Sequence, residues 1–273
     1  MSNLPPLVLL RGGGDLATGV AARLWRGGFW VVVTEIERPL AVRRLVALAE
    51  VVYAGEVEIE DLRGRRVSDA AEARRALEAG VIPVLVDPSA GSRRELQPMA
   101  VVDARMTKAA SDLGIDAAPL VIGLGPGFEA GVNCHAVVET NRGHRMGRVT
   151  WSGMAELDTQ VPDPVAGQAV DRVQRAPAAG VFEGRARLAD KVKRGDLLGV
   201  VEKVEIRAPF DGVLRGLLHD GVEVKAGLKV GDLDPRNDPE LCRLISDKAL
   251  AVGGGVLEAL LARPEIRRRL AGG

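Results

Sequence analysis

Two stretches of the chain are copies of one another: RAPAAGVFEGRARLADKVKRGDLLG at 175–199 and RAPFDGVLRGLLHDGVEVKAGLKVG at 207–231. The offset is 32 residues with no gap, and ten of the 25 positions are identical, from Arg175/Arg207 through Gly184/Gly216 to Gly199/Gly231. That period is one supersecondary unit of several short strands. Whatever else the chain does, residues 151–240 must accommodate a duplicated all-β unit.

The repeated Ala-Pro-x-x-Gly-Val followed by Val-Lys-x-Gly resembles the biotinyl/lipoyl domain family. The resemblance implies a flattened barrel-sandwich hybrid of two quasi-symmetric halves. Carrier domains of that family present a lysine between the halves. Aligned on Glu205-Ile206-Arg207-Ala208-Pro209, that lysine falls on Val201, and Lys203 stands two residues out of place. No biotin or lipoate is therefore expected on Lys203. A structural role, or that of a binding lid, is expected instead.

Residues 1–150 read as α/β. Leu7-Val8-Leu9-Leu10 is a continuous apolar run of the kind that forms a buried parallel strand. Glycines 12 to 14 break it, and Leu16, Val20 and Leu24 then recur at helical spacing. Phe29-Trp30-Val31-Val32-Val33 is a second strand, completing a βαβ unit. Gly12-x-Gly14-x-x-Ala17 lies one small residue from the dinucleotide fingerprint, in which glycines bring backbone close to a pyrophosphate at a helix N-terminus. Glu35, 21 residues after Gly14 at the second strand's end, stands where a ribose-binding acid belongs. Asp15 departs from the fingerprint, because a carboxylate there competes with phosphate for the same amides. It is also a plausible cap, and Arg11 offsets its charge.

Further strands are expected at 81–87, 100–105 and 120–124, with a capped helix opening at Ser68-Asp69. If the sheet is parallel, Glu35, Asp87, Asp103 and Gly125 share its carboxyl edge, where open α/β sheets bind ligands. Arg105 follows Asp103, and Gly127 closes a second glycine-rich loop. The densest polar stretch, NCHAVVETNRGHRMGR at 133–148, holds Cys134, His135, Glu139, Asn141, Arg142 and His144. Cysteine and histidine invite metal or thiolate chemistry, and Cys134 and His135 are the catalytic candidates. Adjacent positions, however, are poorly spaced for one zinc, so the metal stays unspecified. A buried cysteine beside a hydrogen-bonded histidine is the simpler reading.

Charge closes other routes. Thirty-seven basic and 37 acidic residues cancel, and no basic block is present, which argues against nucleic-acid binding. No run approaches the roughly 20 apolar residues of a membrane span. No signal peptide is visible, and Cys134 and Cys242 are far apart, so a reducing, cytoplasmic setting is expected. Cys242 is expected to be a small buried hydrophobe. The tail, 241–273, reads as helices capped near Ser246 and opened at Pro264, with Gly253-Gly254-Gly255 expected as a helix break that lets backbone come close.

Taken together, RGGGDLATGVAARL, TEIERPLAVRR, IPVLVDP, VVDARM, LVIGLGPGFEAGVNCHAVVETNRGHRMGRV, APFDGVLRGLL and ISDKALAVGGGVLEA resemble the YqeB-type accessory proteins of the selenium-dependent molybdenum hydroxylase system. Distant similarity extends to xanthine dehydrogenase accessory factors. The resemblance implies cofactor maturation beside a molybdenum hydroxylase of the xanthine-dehydrogenase type. The expected architecture is a Rossmann-like α/β domain over 1–150 with a parallel sheet, a barrel-sandwich hybrid over 151–240, and a helical segment over 241–273. The expected ligand is a nucleotide-like or molybdopterin-type cofactor, with NAD(P) or a molybdopterin dinucleotide as candidates. Gly12, Gly13 and Gly14 would bind phosphate and Glu35 a ribose. Asp15, Asp87, Asp103, Arg105, Gly125, Gly127, Asn141 and Arg142 would complete the site, and Cys134 would carry sulfur or selenium or ligate a metal. An NAD(P)-dependent oxidoreductase using His135 or His144, or a scaffold docking a hydroxylase, are the alternatives.

Overall fold

The computed structural model describes residues 4–107, 112–157 and 170–272. The chain forms two compact units. The first comprises the described residues of 1–39, 48–158 and 245–273, the second those of 40–47 and 159–244.

The first unit is mixed α/β. Its elements are β1 (Leu7–Arg11), α1 (Asp15–Arg26), β2 (Trp30–Glu35), α2 (Val51–Ala54), β3 (Glu56–Ile59), β4 (Leu62–Val67), α3 (Ala70–Glu78) and β5 (Ile82–Val86). There follow α4 (Arg93–Leu96), β6 (Ala100–Asp103), β7 (Leu120–Leu124), β8 (Glu129–Ala130), β9 (Ala136–Val138), β10 (Val149–Thr150) and β11 (Gly153–Met154). Among the described residues one nine-stranded sheet runs in the order β10-β9-β7-β6-β1-β2-β5-β4-β3. Its pairings from β9 to β4 are parallel, and only the outer pairs β9/β10 and β3/β4 are antiparallel. The apolar runs read from the sequence are its centre: β1, β6 and β7 are buried at every residue. Parallel strands need crossovers, and α1 supplies the first of them. Asp69 caps α3 as expected, accepting from the Glu72 amide at 2.8 Å, and Glu72 reaches back to accept from the Ser68 amide at 2.8 Å, one residue before the cap.

The second unit holds the repeat. Its strands are β12 (Val173–Arg175), β13 (Gly180–Gly184), β14 (Lys191–Val192), β15 (Leu197–Val201), β16 (Val204–Arg207), β17 (Gly212–Leu217), β18 (Glu223–Val224) and β19 (Lys229–Asp234). Among the described residues they make two four-stranded antiparallel sheets, β12-β19-β17-β14 and β16-β15-β13-β18. A shift of 32 residues turns one order into the other, so each sheet takes two strands from each copy. The copies are interleaved, and neither has a complete sheet alone. Lys203 is the second residue of the two-residue turn between β15 and β16; both Glu202 (φ 46°) and Lys203 (φ 70°) are left-handed there. Such a turn suits the twist of an antiparallel hairpin.

The tail departs from expectation twice. Residues 245–272 do not stand apart but belong to the first unit, through α5 (Asp247–Leu261) and α6 (Pro264–Ala271). The three glycines do not break the helix: α5 runs through them, capped by Ser246 accepting from the Ala249 amide. Gly253 and Gly255 serve the close backbone approach expected of the run, without a break. A Cβ on Gly253 would lie 2.6 Å from the Gly19 carbonyl oxygen on α1, and one on Gly255 would meet the Gly147 carbonyl. The propensity cost of glycine in a helix, about 1 kcal/mol each, is offset by backbone-to-backbone approach. No helix among the described residues is long and apolar enough to cross a membrane.

Candidate functional site

The parallel order places Glu35, Asp87, Asp103 and Gly125 along the carboxyl edge, as the strand endings implied. The chain leaves β1 toward β2 on one side and later returns to β6 on the other. Between β1 and β6 is therefore a topological switch point, the place where open α/β sheets form a ligand crevice. The Gly12–Gly14 loop and the Asp103–Arg105 strand end face each other across it: a Cβ on Gly12 would sit 3.2 Å from Arg105 Cα.

The three glycines have different reasons to be glycine. Gly12 is left-handed, φ +96°, and crowded by Arg105. Gly13 is pressed against the Ala49 amide, 2.8 Å from where its Cβ would be, and its carbonyl accepts from that amide at 2.8 Å. Gly14 is the N-cap of α1 with φ −64° and ψ −179°, a conformation open to any residue, and nothing lies within 4 Å of its Cβ position. The fold requires glycine at the first two positions and not at the third.

Two carboxylates sit on this loop. Glu35 Oε1 accepts from the Gly13 amide at 2.6 Å, and Oε2 accepts from the Ile36 amide at 2.9 Å. Burial pushes the Glu35 carboxyl above its ordinary range, more than these two hydrogen bonds lower it. Asp15 Oδ1 accepts from the Leu16 amide at 3.0 Å. So Glu35 stands where the fingerprint puts its ribose acid, yet it also occupies one of the amides assigned to phosphate. Glu35 and Asp15 thus each hold one amide at the start of α1, those of Gly13 and Leu16.

The basic counterpart is a cluster of four charges. Arg11, 1% exposed, donates through Nη1 and Nη2 to both oxygens of Asp112, at 2.5 and 2.7 Å. Its Nη1 also reaches Asp103 Oδ2 at 3.4 Å, and Nη2 donates to the Pro88 carbonyl at 2.8 Å. Arg105 pairs bidentately with Asp103, at 2.9 and 2.7 Å, and reaches Asp112 Oδ1 at 2.8 Å. The two guanidiniums hold the Asp112 carboxyl well below the usual carboxylate range, Arg11 contributing most. Asp103 is 2% exposed, whereas the Asp112 side chain is 62% exposed. Arg11 and Asp112 are 101 residues apart, and no local pattern announces the pairing. Arg11 entered the sequence reading only as an offset for Asp15, and Asp112 did not enter it.

The remaining candidates are committed to local structure. Asp87 accepts from the amides of Gly91 and Ser92 and from the Ser89 hydroxyl, closing the loop after β5. Burial raises its carboxyl, but these bonds outweigh that and leave it below its ordinary value. Gly125, φ +70°, has no room for a Cβ, which would meet the Thr140 hydroxyl. The Gly127 carbonyl accepts from Asn133 Nδ2 at 3.2 Å. Asn141 donates its amide to Glu139 and its side-chain nitrogen to Glu156. Arg142 makes a bidentate pair with Asp247 at the start of α5, at 2.8 and 3.0 Å. His144 is exposed.

Cys134 and His135 do not join the crevice. Both immediately precede β9 and so lie at the amino edge of the sheet. Cys134 is fully buried among Val121, Phe128, Ala130 and Val137. Burial pushes its thiol up to about 11. His135 Nδ1 accepts from the Val121 amide at 2.9 Å, and burial followed by the Arg263 charge lowers its pKa. This is the arrangement of a core cysteine beside a hydrogen-bonded histidine, and burial outweighs the backbone hydrogen bonds from Gly123 and Ala136 that lower the thiol pKa, the reverse of what sulfur transfer needs. Alkylation of Cys134 by iodoacetamide at pH 8 should run on the order of a hundredfold slower in the native protein than in urea. Equal rates, read by mass spectrometry, would show a reactive thiol. Cys242 is likewise buried, its thiol raised chiefly by desolvation. Among the described residues no group of three or more His, Cys, Asp or Glu is placed to hold a metal ion.

The fold and crevice define a mixed α/β protein with a large parallel sheet, a glycine loop at its switch point and C-terminal helices. Such a chain is similar to the uncharacterized protein YqeB of Escherichia coli (strain K12), at 48% identity over 255 residues, or 93% of its length. This supports the YqeB-type assignment. The chain spans about half, 47%, of that relative's length. No family model matches. Among solved structures, an aspartoacylase family protein from Mesorhizobium loti overlaps at 14% identity over 84% of this chain and 85% of that one, TM-score 0.29. The ectoine utilization protein EutE (DoeB) from Ruegeria pomeroyi gives the same figures. Overlaps this loose transfer no chemistry to the present chain.

Proposed function

We propose that this chain binds a phosphate-bearing, nucleotide-type cofactor in the crevice between β1 and β6, and acts as an accessory factor to a molybdenum hydroxylase. In this reading the first unit is Rossmann-like and the second is a barrel-sandwich hybrid. The observation that carries the binding reading is Gly14. Its backbone angles suit any residue and its Cβ direction is open, so neither strain nor crowding demands glycine there. Close approach of a ligand to the start of α1 explains it. Glu35, at the tip of the neighbouring strand, is placed to accept from ribose hydroxyls. The hydroxylase partner rests on the resemblance to YqeB-type accessory proteins.

Gly14→Val is the direct test, because it fills the approach space without straining the loop. Thermal shifts with NAD, NADP and a cytosine dinucleotide form of the molybdenum cofactor should show at least one ligand stabilising the unaltered protein. The expected gain is about 2.7 kcal/mol at a ligand concentration near 100 Kd. Gly14→Val should lose about 1 kcal/mol of ligand-free stability, since valine caps a helix less well than glycine, and lose affinity on the order of a hundredfold. No shift with any of the three ligands, or an equal shift in the variant, would overturn the reading.

A further inference from the structure

The loop amides are a poor place for a phosphate while Glu35 and Asp15 occupy them. A different anion position exists a few residues away, and it is filled by the protein itself. Asp112 lays its carboxylate across Arg11, with both oxygens engaged, and against Arg105 at 2.8 Å. Bidentate guanidinium contact with a planar oxyanion is how proteins hold phosphate and carboxylate groups. Arg11 is 1% exposed, and its Nε makes no hydrogen bond. A buried guanidinium with an unused donor is an expensive arrangement for a merely structural pair. Asp103 balances Arg105 from within the core, and Asp112 balances Arg11 from the surface.

We propose that Arg11 and Arg105 form the phosphoanion subsite of the crevice, and that Asp112 is a built-in competitor which a phosphate or diphosphate group displaces. This rests on the cofactor reading above only for where the rest of the ligand lies. Gly12 brings the loop against the backbone of Arg105, so the two arginines and the glycine loop border the same crevice. Exchange of one anion for another keeps the buried Arg11 paired throughout. Ligand-free protein is thereby spared an uncompensated charge, at the cost of weaker apparent affinity.

Inorganic pyrophosphate is the probe, titrated calorimetrically into the full chain. Asp112→Asn removes the competing charge and should bind pyrophosphate about tenfold more tightly than the unaltered protein. Adding Arg105→Gln to Asp112→Asn should abolish that gain. Asp112→Ser repeats the test should the asparagine variant fold poorly. Equal or weaker affinity on neutralising Asp112, or a gain that survives Arg105→Gln, would overturn the proposal. NAD, NADP and the molybdopterin dinucleotide are titrated into the unaltered protein and into Asp112→Asn in parallel. Tight pyrophosphate binding by Asp112→Asn with no dinucleotide binding would uphold the subsite and sink the cofactor reading. Dinucleotide binding indifferent to Asp112 would do the reverse.

Discussion

Gly19→Val should destabilise the protein by about 3 kcal/mol or more, the upper range for overpacking a core. A Cβ at Gly19 would stand 2.5 Å from the Ala249 carbonyl carbon and oxygen and 2.6 Å from its Cβ. Two of these atoms are backbone inside α5, so no rotamer change relieves the contact. Gly253 faces the same crossing from the other side. The helices meet through glycine because the crossing admits nothing larger, and α5 is thereby fixed on the helix that opens at the candidate site. Gly254, the next residue along α5, has nothing within 4 Å of its Cβ position. Gly254→Ala should therefore stabilise by about 1 kcal/mol through helix propensity alone. Urea unfolding of both variants checks the pair. Equal destabilisation by the two substitutions would mean that the close crossing is not what the glycines serve.

Arg11→Leu should cost about 3 kcal/mol, the lower end of what removing one partner of a buried ion pair costs. Asp103 is 2% exposed and loses one of its two guanidiniums, while Arg105 stays on it with both nitrogens. The residual pairing is why the low end is expected. For a unit of this size the loss corresponds to a fall in melting temperature of roughly 6–12 °C. Arg11→Lys should recover part of it, since an ammonium supplies charge but not the two-pronged contact. Asp112→Asn should change stability far less, because that side chain is mostly exposed. Calorimetry of the three variants gives the order directly. An Arg11→Leu protein as stable as the parent would show that the cluster does not hold the edge of β1.

The parallel core was legible because its strands are buried on both faces and so read as unbroken apolar runs, as at 7–10 and 120–122. The repeat was legible by self-comparison, and its 32-residue shift relates the two observed sheets strand for strand. The interleaving of its copies was not legible, because which strand pairs with which is a long-range choice. Nor was the membership of 40–47 in the second unit, since nothing in its composition marks it. Gly253-Gly254-Gly255 misled because helix propensity speaks for isolated helices, and tertiary contact with α1 decides here.

At the candidate site, the glycine loop and Glu35 were readable from spacing within one βαβ unit. The hydrogen bond from the Gly13 amide to Glu35 was not, because it depends on how the loop folds back on the strand end. The Arg11–Asp112 pairing escaped notice because it joins segments about a hundred residues apart. Cys134 and His135 drew attention by residue type, but type does not report burial, and a core position raises the thiol rather than activating it.

Amide chemical shifts followed during titration with ADP-ribose test the central claim most directly, since they locate a ligand without any substitution. Binding at the switch point predicts that the largest changes fall on Gly12, Gly13, Gly14, Asp15 and Arg105. Changes absent there, or concentrated at the amino edge around Val121 and His135, would contradict it.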